Sequence, residues 1–182
     1  ARPVAAAAPA GPVSVAKALA TLQQQPGSTL AISDSLVNIQ SNLDALQSVA
    51  ARITSLTTTD QTARLSVSAA QYTKDAGVLA RWGATDGNTV DVTGVTAANA
   101  ASFASSRASW VSSFSVSDSA ANLSRQLDSL QSLVADGSLR QIVRTGTATA
   151  LKITSTQLAA DAGALGAIQN QAYTLTVTNA SV

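Results

Sequence analysis

The segment ISDSLVNIQSNLDALQS at residues 32–48 returns as VSDSAANLSRQLDSLQS at residues 116–132, 84 positions further on. Ser33, Asp34, Ser35, Asn38, Leu43, Asp44, Leu46, Gln47 and Ser48 recur unchanged as Ser117, Asp118, Ser119, Asn122, Leu127, Asp128, Leu130, Gln131 and Ser132. Further along, the offset becomes 86 and pairs Leu65 with Leu151, Gln71 with Gln157, Asp75 with Asp161 and Leu79 with Leu165. Self-similarity of this kind decides an architecture and is read before anything else. It predicts two copies of a unit of roughly 85 residues, at 13–95 and 96–182. Residues 1–12 (ARPVAAAAPAGP) precede them as a Pro/Ala stretch without apolar periodicity, which reads as a linker or mobile end.

A shorter pattern runs inside each copy. The tetrad apolar-x-Val/Ile-Ser/Thr occurs as LAIS (30–33), LSVS (65–68), VDVT (90–93), FSVS (114–117), LKIT (151–154) and LTVT (175–178). Alternation with a β-branched third position predicts a short strand with one buried face. Each tetrad ends in Ser or Thr, and five of the six lead into a helical pattern, where a hydroxyl or an Asp can cap the free N–H groups. Leu36, Ile39, Leu43, Leu46 and Ala50 fall at i, i+3, i+7, i+10 and i+14, and Ala120, Leu123, Leu127, Leu130 and Val134 repeat that spacing. Each set predicts one long helix with a narrow apolar stripe. Shorter helices carry Tyr72, Ala76, Leu79 and Trp82, matched by Leu158, Ala162, Leu165 and Ile168. The Thr-rich stretches ITSLTTTDQTARLSVS and LRQIVRTGTATALKIT read as two strands each, joined by turns around Asp60-Gln61 and Gly146.

These elements predict an α/β fold of repetitive, solenoid-like helix–strand units with short parallel strands. A unit of this size cannot bury its helix stripe and its strand alone, so neighbours must share a core. Strands separated by a helix are expected to be parallel, with right-handed crossovers. Small side chains fit such close packing: 37 Ala, 24 Ser and 20 Thr make up 81 of the 182 residues.

Composition removes most familiar chemistry. The chain has no Cys, no Met and no His, and its ten acidic residues are all Asp. Zinc fingers, haem and iron–sulfur ligation, disulfides, thiol nucleophiles and a Ser-His-Asp triad are thereby excluded. A net charge of +1, with both signs scattered, leaves no basic stripe for nucleic acid. No apolar run is long enough to span a bilayer. The start at Ala1, with no charged leader and apolar run behind it, reads as a processed chain or a fragment, and the lack of Cys fits export.

Candidate side chains are weighed against ordinary structural roles. Trp82 and Trp110 could stack on sugar rings, but Trp82 occupies the position of Ile168, so core packing is expected for both. Tyr72, equivalent to Leu158, is expected in the core, and Tyr173 is expected at the surface. Asp34 and Asp118 stand where an acid neutralises a helix start. Asp86-Gly87 and Asp136-Gly137 are turn dipeptides. No calcium loop of DxDxDG type or glycine-rich nonapeptide is present. Lys17, Lys74 and Lys152 are the only lysines. No two acids are singled out by spacing, and no serine has a catalytic partner, so an enzyme is not expected. Asn122-Leu-Ser124 and Asn179-Ala-Ser181 match the N-glycosylation acceptor, the first inside a predicted helix.

FSVSDSAANL, LDSLQSLVADGSLRQI, ALKITSTQLAADAGALGAI and YTLTVTNAS resemble repeat units of very large exported surface proteins of Gram-negative bacteria. Those chains are hemolysin-like or adhesin-like and often type I secreted, and forms such as VSDTAANI…LDAL and LTVTAAQLAADAAAL recur in them. The resemblance covers about residues 30–180 and is stronger in the second copy. It implies a cell-surface or extracellular location and a role in adhesion, biofilm or surface-layer architecture. Partners expected on this basis are an extracellular polysaccharide, a surface protein or another copy of the chain. No cofactor is expected, and no catalytic, metal or ligand-binding residue carries over.

Overall fold

A computed structural model describes residues 11–169 and 172–179. The expected Pro/Ala linker lies, apart from Gly11 and Pro12, outside the described residues. The chain divides into two compact units, 1–66 with 70–90 and 67–69 with 91–182.

In the first unit, α1 (Val15–Gln24) leads to β1 (Leu30–Asp34), then α2 (Leu36–Ser41), α3 (Leu43–Ser48), a 3-10 turn (Ala50–Arg52) and β2 (Ile53–Thr58). β3 (Arg64–Ser68), α4 (Ala69–Lys74), α5 (Ala76–Gly83) and β4 (Thr89–Val95) follow, and β3 and β4 carry the chain from one unit to the other. The second unit continues with a 3-10 turn (Ala97–Asn99), α6 (Ala100–Ser106), β5 (Val111–Ser119), α7 (Ala120–Arg125), α8 (Leu127–Ala135) and β6 (Leu139–Thr145). It ends with β7 (Ala150–Thr154), α9 (Ser155–Ala160), α10 (Ala162–Gly166) and β8 (Thr174–Thr178). The protein is thus α/β with short strands, and all six tetrads lie in strands.

Strands joined through a helix pair run parallel: β1 with β2, β5 with β6, and β7 with β8. The first two pairs share an irregularity. Leu30 faces Ile53 but Ala31 faces Ser55; Phe114 faces Leu139 but Ser115 faces Gln141. Within the second unit the sheet order is β3-β4-β5-β6, with Val67, Ser68 and 91–95 as the contributions of β3 and β4. Neither Thr-rich stretch is a hairpin, because β2 is not a sheet neighbour of β3, nor β6 of β7.

Each core is built from the alternating strand residues and the helix stripe. Ile32, Leu56, Ile39 and Leu46 are fully buried in the first unit, as are Val116, Ile142, Leu123, Leu127 and Leu130 in the second. A buried Leu or Ile contributes roughly 1.5–3 kcal/mol relative to exposure.

The expected long helices are broken once each. Asn42 (φ −118°, ψ 16°) separates α2 from α3, and Gln126 (φ −106°, ψ 9°) separates α7 from α8. Both sit in the sparsely allowed bridge region. At Asn42 the cause is visible: its side-chain Nδ2 donates to the Asn38 carbonyl at 2.8 Å, the oxygen that its own backbone N–H would take in an α-helix. The backbone N–H turns instead to Ile39, at 3.1 Å. The shorter helices break likewise at Asp75 (φ −102°, ψ 23°) and Asp161 (φ −107°, ψ 28°).

Those breaks correct part of the stripe. Tyr72 is half-buried rather than core, while Ala76 and Ala162 are exposed. Leu158 is 42% exposed. α4 and α9 bury none of their own side chains. The inward positions are instead Asp75, Val78, Leu79 and Trp82, and Asp161, Ala164, Leu165 and Ile168. The break re-phases the helix, bringing an aspartate inward where the tyrosine or leucine was expected.

Candidate functional site

Recurring polar residues mark joints in the fold. Asp34 lies at the end of β1, where Oδ1 accepts from Ser35 N at 2.8 Å and from Asn38 Nδ2 at 2.8 Å. Its Oδ2 accepts from Val15 N, the first residue of α1, at 2.9 Å. Asp118 repeats this, accepting from Ser119 N (2.8 Å), Asn122 Nδ2 (2.7 Å) and Ala97 N (3.0 Å). Each carboxylate therefore ties two helix starts to one strand end, where free N–H groups and the helix dipole favour an anion. The N-caps themselves are Ser35 and Ser119. In Asp34 the Asn38 hydrogen bond leads in holding the carboxyl below its usual range; in Asp118 burial opposes, and the three donors prevail.

A second joint holds helix against helix. Gln47 Oε1 on α3 accepts from Val78 N on α5 at 2.8 Å, and Gln131 Oε1 on α8 accepts from Ala164 N on α10 at 2.7 Å. Gly77 and Gly163 make room for these hooks: a Cβ at Gly163 would stand 3.0 Å from Gln131 Oε1, and one at Gly77 3.1 Å from Gln47 Oε1.

Beside each hook is a pair of carboxyl groups that spacing did not single out. In the first unit Asp75 is fully buried next to Asp44, and Lys74 Nζ lies 2.7 Å from Asp44 Oδ2. Asp44 is held below its usual range by Lys74, while burial, then the Asp44 charge, pushes Asp75 up. In the second unit Asp161, 3% exposed, lies within hydrogen-bonding reach of Asp128. Burial, then Asp128, pushes Asp161 up to about 6. Asp128 Oδ1 also accepts from Gln157 Nε2 at 3.1 Å. A depression of about 420 Å³ opens here, lined by Asp128, Thr154, Thr156, Gln157, Ala160 and Asp161. The signal that could have found these pairs was already present: Asp44 and Asp128, and Asp75 and Asp161, are each among the residues that recur.

The aromatic candidates separate. Trp82 is fully buried and donates from Nε1 to the Thr89 carbonyl at 3.1 Å. Trp110 is only half-buried, just ahead of β5, which corrects the expectation of core packing. Tyr173 is half-buried rather than fully exposed, its hydroxyl donating to the Leu165 carbonyl at 2.9 Å. Gly87, Gly137 and Gly146 all have positive φ (81°, 76° and 76°), as the turn readings require. Asn122 uses its amide twice, donating to Asp118 and accepting from Arg125 Nη1 at 3.2 Å. Asn179 is exposed, with φ 57°. Lys17 and Lys152 are exposed; Lys152 lines a second depression of about 530 Å³ with Ala120, Ser124 and Arg125. Among the described residues no cluster of three or more metal-binding acids occurs, and no helix is long and apolar enough to cross a membrane.

Comparisons with protein-family models, curated proteins and solved structures found no significant match.

Proposed function

We propose that this chain is a non-enzymatic structural or adhesive module of an exported bacterial cell-surface protein, built as a solenoid-like array of two copies of a roughly 85-residue unit. One observation carries the reading: the recurring aspartates at the strand ends and the recurring glutamines bind the protein's own backbone. Asp34 and Asp118 each accept from two helix starts, Gln47 and Gln131 each accept from a facing helix, and the strand register steps at the same point in both units. Duplicated joints are what a stackable scaffold needs. Adhesion, biofilm or surface-layer architecture is the role that fits. Antibody raised against the chain is expected to stain intact producing cells; staining only after permeabilisation would refute export.

A second reading, a glycan- or protein-binding module, is favoured by Trp110, an aromatic residue that is only half-buried. Extracellular polysaccharides and surface proteins are the partners it would take. A glycan array that gives no ligand favours the scaffold, whereas specific binding lost in Trp110→Ala favours recognition.

A further inference from the structure

The second copy carries smaller side chains at one spot. At offsets of 84 and 86, Ala120, Ala121, Ser124 and Ala150 stand where the first copy has Leu36, Val37, Gln40 and Arg64. At the same offsets Arg125 and Lys152 replace Ser41 and Ser66. All six residues of the second copy line the depression of about 530 Å³ formed by α7 and the start of β7.

The alanines, joined by Ala148, give this depression methyl groups, and no acid lines it. Arg125 and Lys152 are exposed and belong to no ion pair among the described residues, and Arg125 Nη1 donates to the neutral Asn122 Oδ1 at 3.2 Å. Ser124 is 8% exposed, and its Oγ is buried without a hydrogen-bond partner. An orphaned hydroxyl costs free energy that a polar guest removes. The first copy offers no counterpart to this orphan, because Gln40 at the equivalent position is exposed.

We propose that the depression seats a small hydroxylated carboxylate of the uronic acid type. The carboxylate is taken by the Arg125 guanidinium and the Lys152 ammonium, two cations that no acid neutralises. The C–H face of the guest covers the alanine methyls, and Ser124, by rotation about its one side-chain bond, exchanges a hydrogen bond with a guest hydroxyl. A volume of about 530 Å³ falls in the range of small-molecule sites. An open seat of this kind binds weakly, with a Kd of about 1 mM. It involves neither Trp110 nor the recurring joints, so it stands whether or not Trp110 recognises a glycan.

The test is titration of the whole ¹⁵N-labelled chain with sodium glucuronate at about pH 7, read from amide chemical shifts, with glucose and sodium acetate at matched ionic strength as controls. Saturable shifts are expected on α7 and residues 148–152, with glucose and acetate binding about tenfold more weakly or less. Arg125→Ser and Lys152→Ser each weaken glucuronate about tenfold, and Ala121→Val, which narrows the seat, weakens it severalfold. Each substitution installs the first copy's residue at an exposed position, and the dispersion of the same spectra reports that the fold is kept. Raising sodium chloride from about 20 to about 300 mM weakens binding severalfold, because the two cations face solvent. The proposal is overturned by the absence of saturable shifts at about 20 mM glucuronate, by glucose or acetate binding as tightly, or by binding that survives both serine substitutions. Binding that salt leaves unchanged also overturns it, and this arm decides the matter should a variant fail to fold.

Discussion

Replacement of Asp118 by alanine tests whether the strand-end carboxylate is the joint it is described to be. The substitution removes an acceptor of three hydrogen bonds, of 2.8 Å from Ser119 N, 2.7 Å from Asn122 Nδ2 and 3.0 Å from Ala97 N. A hydrogen bond to a charged group contributes about 1.5–3 kcal/mol, and loss of a helix-cap acceptor about 0.5–2 kcal/mol. The Asn122 amide is exposed and turns to water at little cost. The two backbone N–H groups are partly buried, and Ala97 itself is 2% exposed, so their loss dominates. The expected destabilisation is about 2–4 kcal/mol. Urea unfolding followed by far-ultraviolet circular dichroism measures it, with Asp60→Ala as a control that removes the exposed 2.7 Å bond from Leu36 N. Because Asp118 is held below its usual range in the fold, its contribution is present above about pH 3.8 and is lost as pH falls further. The gap between wild type and Asp118→Ala must therefore shrink near pH 2.5. A loss under about 0.5 kcal/mol at pH 7, or no larger than that of Asp60→Ala, would refute the joint.

The raised Asp161 acts in the opposite sense: the folded chain binds this proton more tightly than the unfolded one, so stability increases as pH falls from about 7 through 6 towards 4. The full shift corresponds to about 3 kcal/mol, reduced to about 1–2 kcal/mol by water at the open mouth; a melting temperature that falls steadily from pH 7 to pH 5 contradicts it. Asp161→Asn is expected to flatten this rise. Gln131→Ala strands the Ala164 N–H and should cost about 1–3 kcal/mol in denaturant unfolding, whereas no loss would show that water replaces the hook. Gly163→Ala presses on the Gln131 amide, so its effect should be smaller in a Gln131→Ala background than alone; full additivity counts against the contact. Leu127→Ala, at a fully buried position, should cost about 2–5 kcal/mol, and a cost below about 1 kcal/mol would place Leu127 outside the core.

The strands were legible because a tetrad such as FSVS carries its own period and its own β-branched residue, and neither depends on distant contacts. Trp82 was legible too, through its equivalence with Ile168. The single-residue breaks were not. A pause at Asn42 leaves Leu36, Ile39, Leu43 and Leu46 on the same stripe, so apolar spacing is blind to it, and only the competing Asn42 side chain reveals it. At Asp75 and Asp161 the consequence is larger, because the break turns a charged residue inward and leaves Leu158 outside. The carboxyl pairs were hidden for a related reason. Asp128, on α8, and Asp161, at the break between α9 and α10, come together only after the chain has made β6 and β7, so nothing local announces their proximity. Recurrence did flag all four acids, but recurrence alone does not separate a cap from a buried pair.

The difference between the two offsets has a practical consequence. The growth from 84 to 86 falls between Ser132 and Leu139, at the bend where Gly137 has φ 76° and a Cβ would meet nothing within 4 Å. The second unit lengthens there while Gln131 still reaches Ala164 and Phe114 still faces Leu139. That bend is the seam at which the repeat takes up extra length, the place to insert a peptide or a tether with Gly137 itself kept, since its left-handed backbone is strained for any other residue.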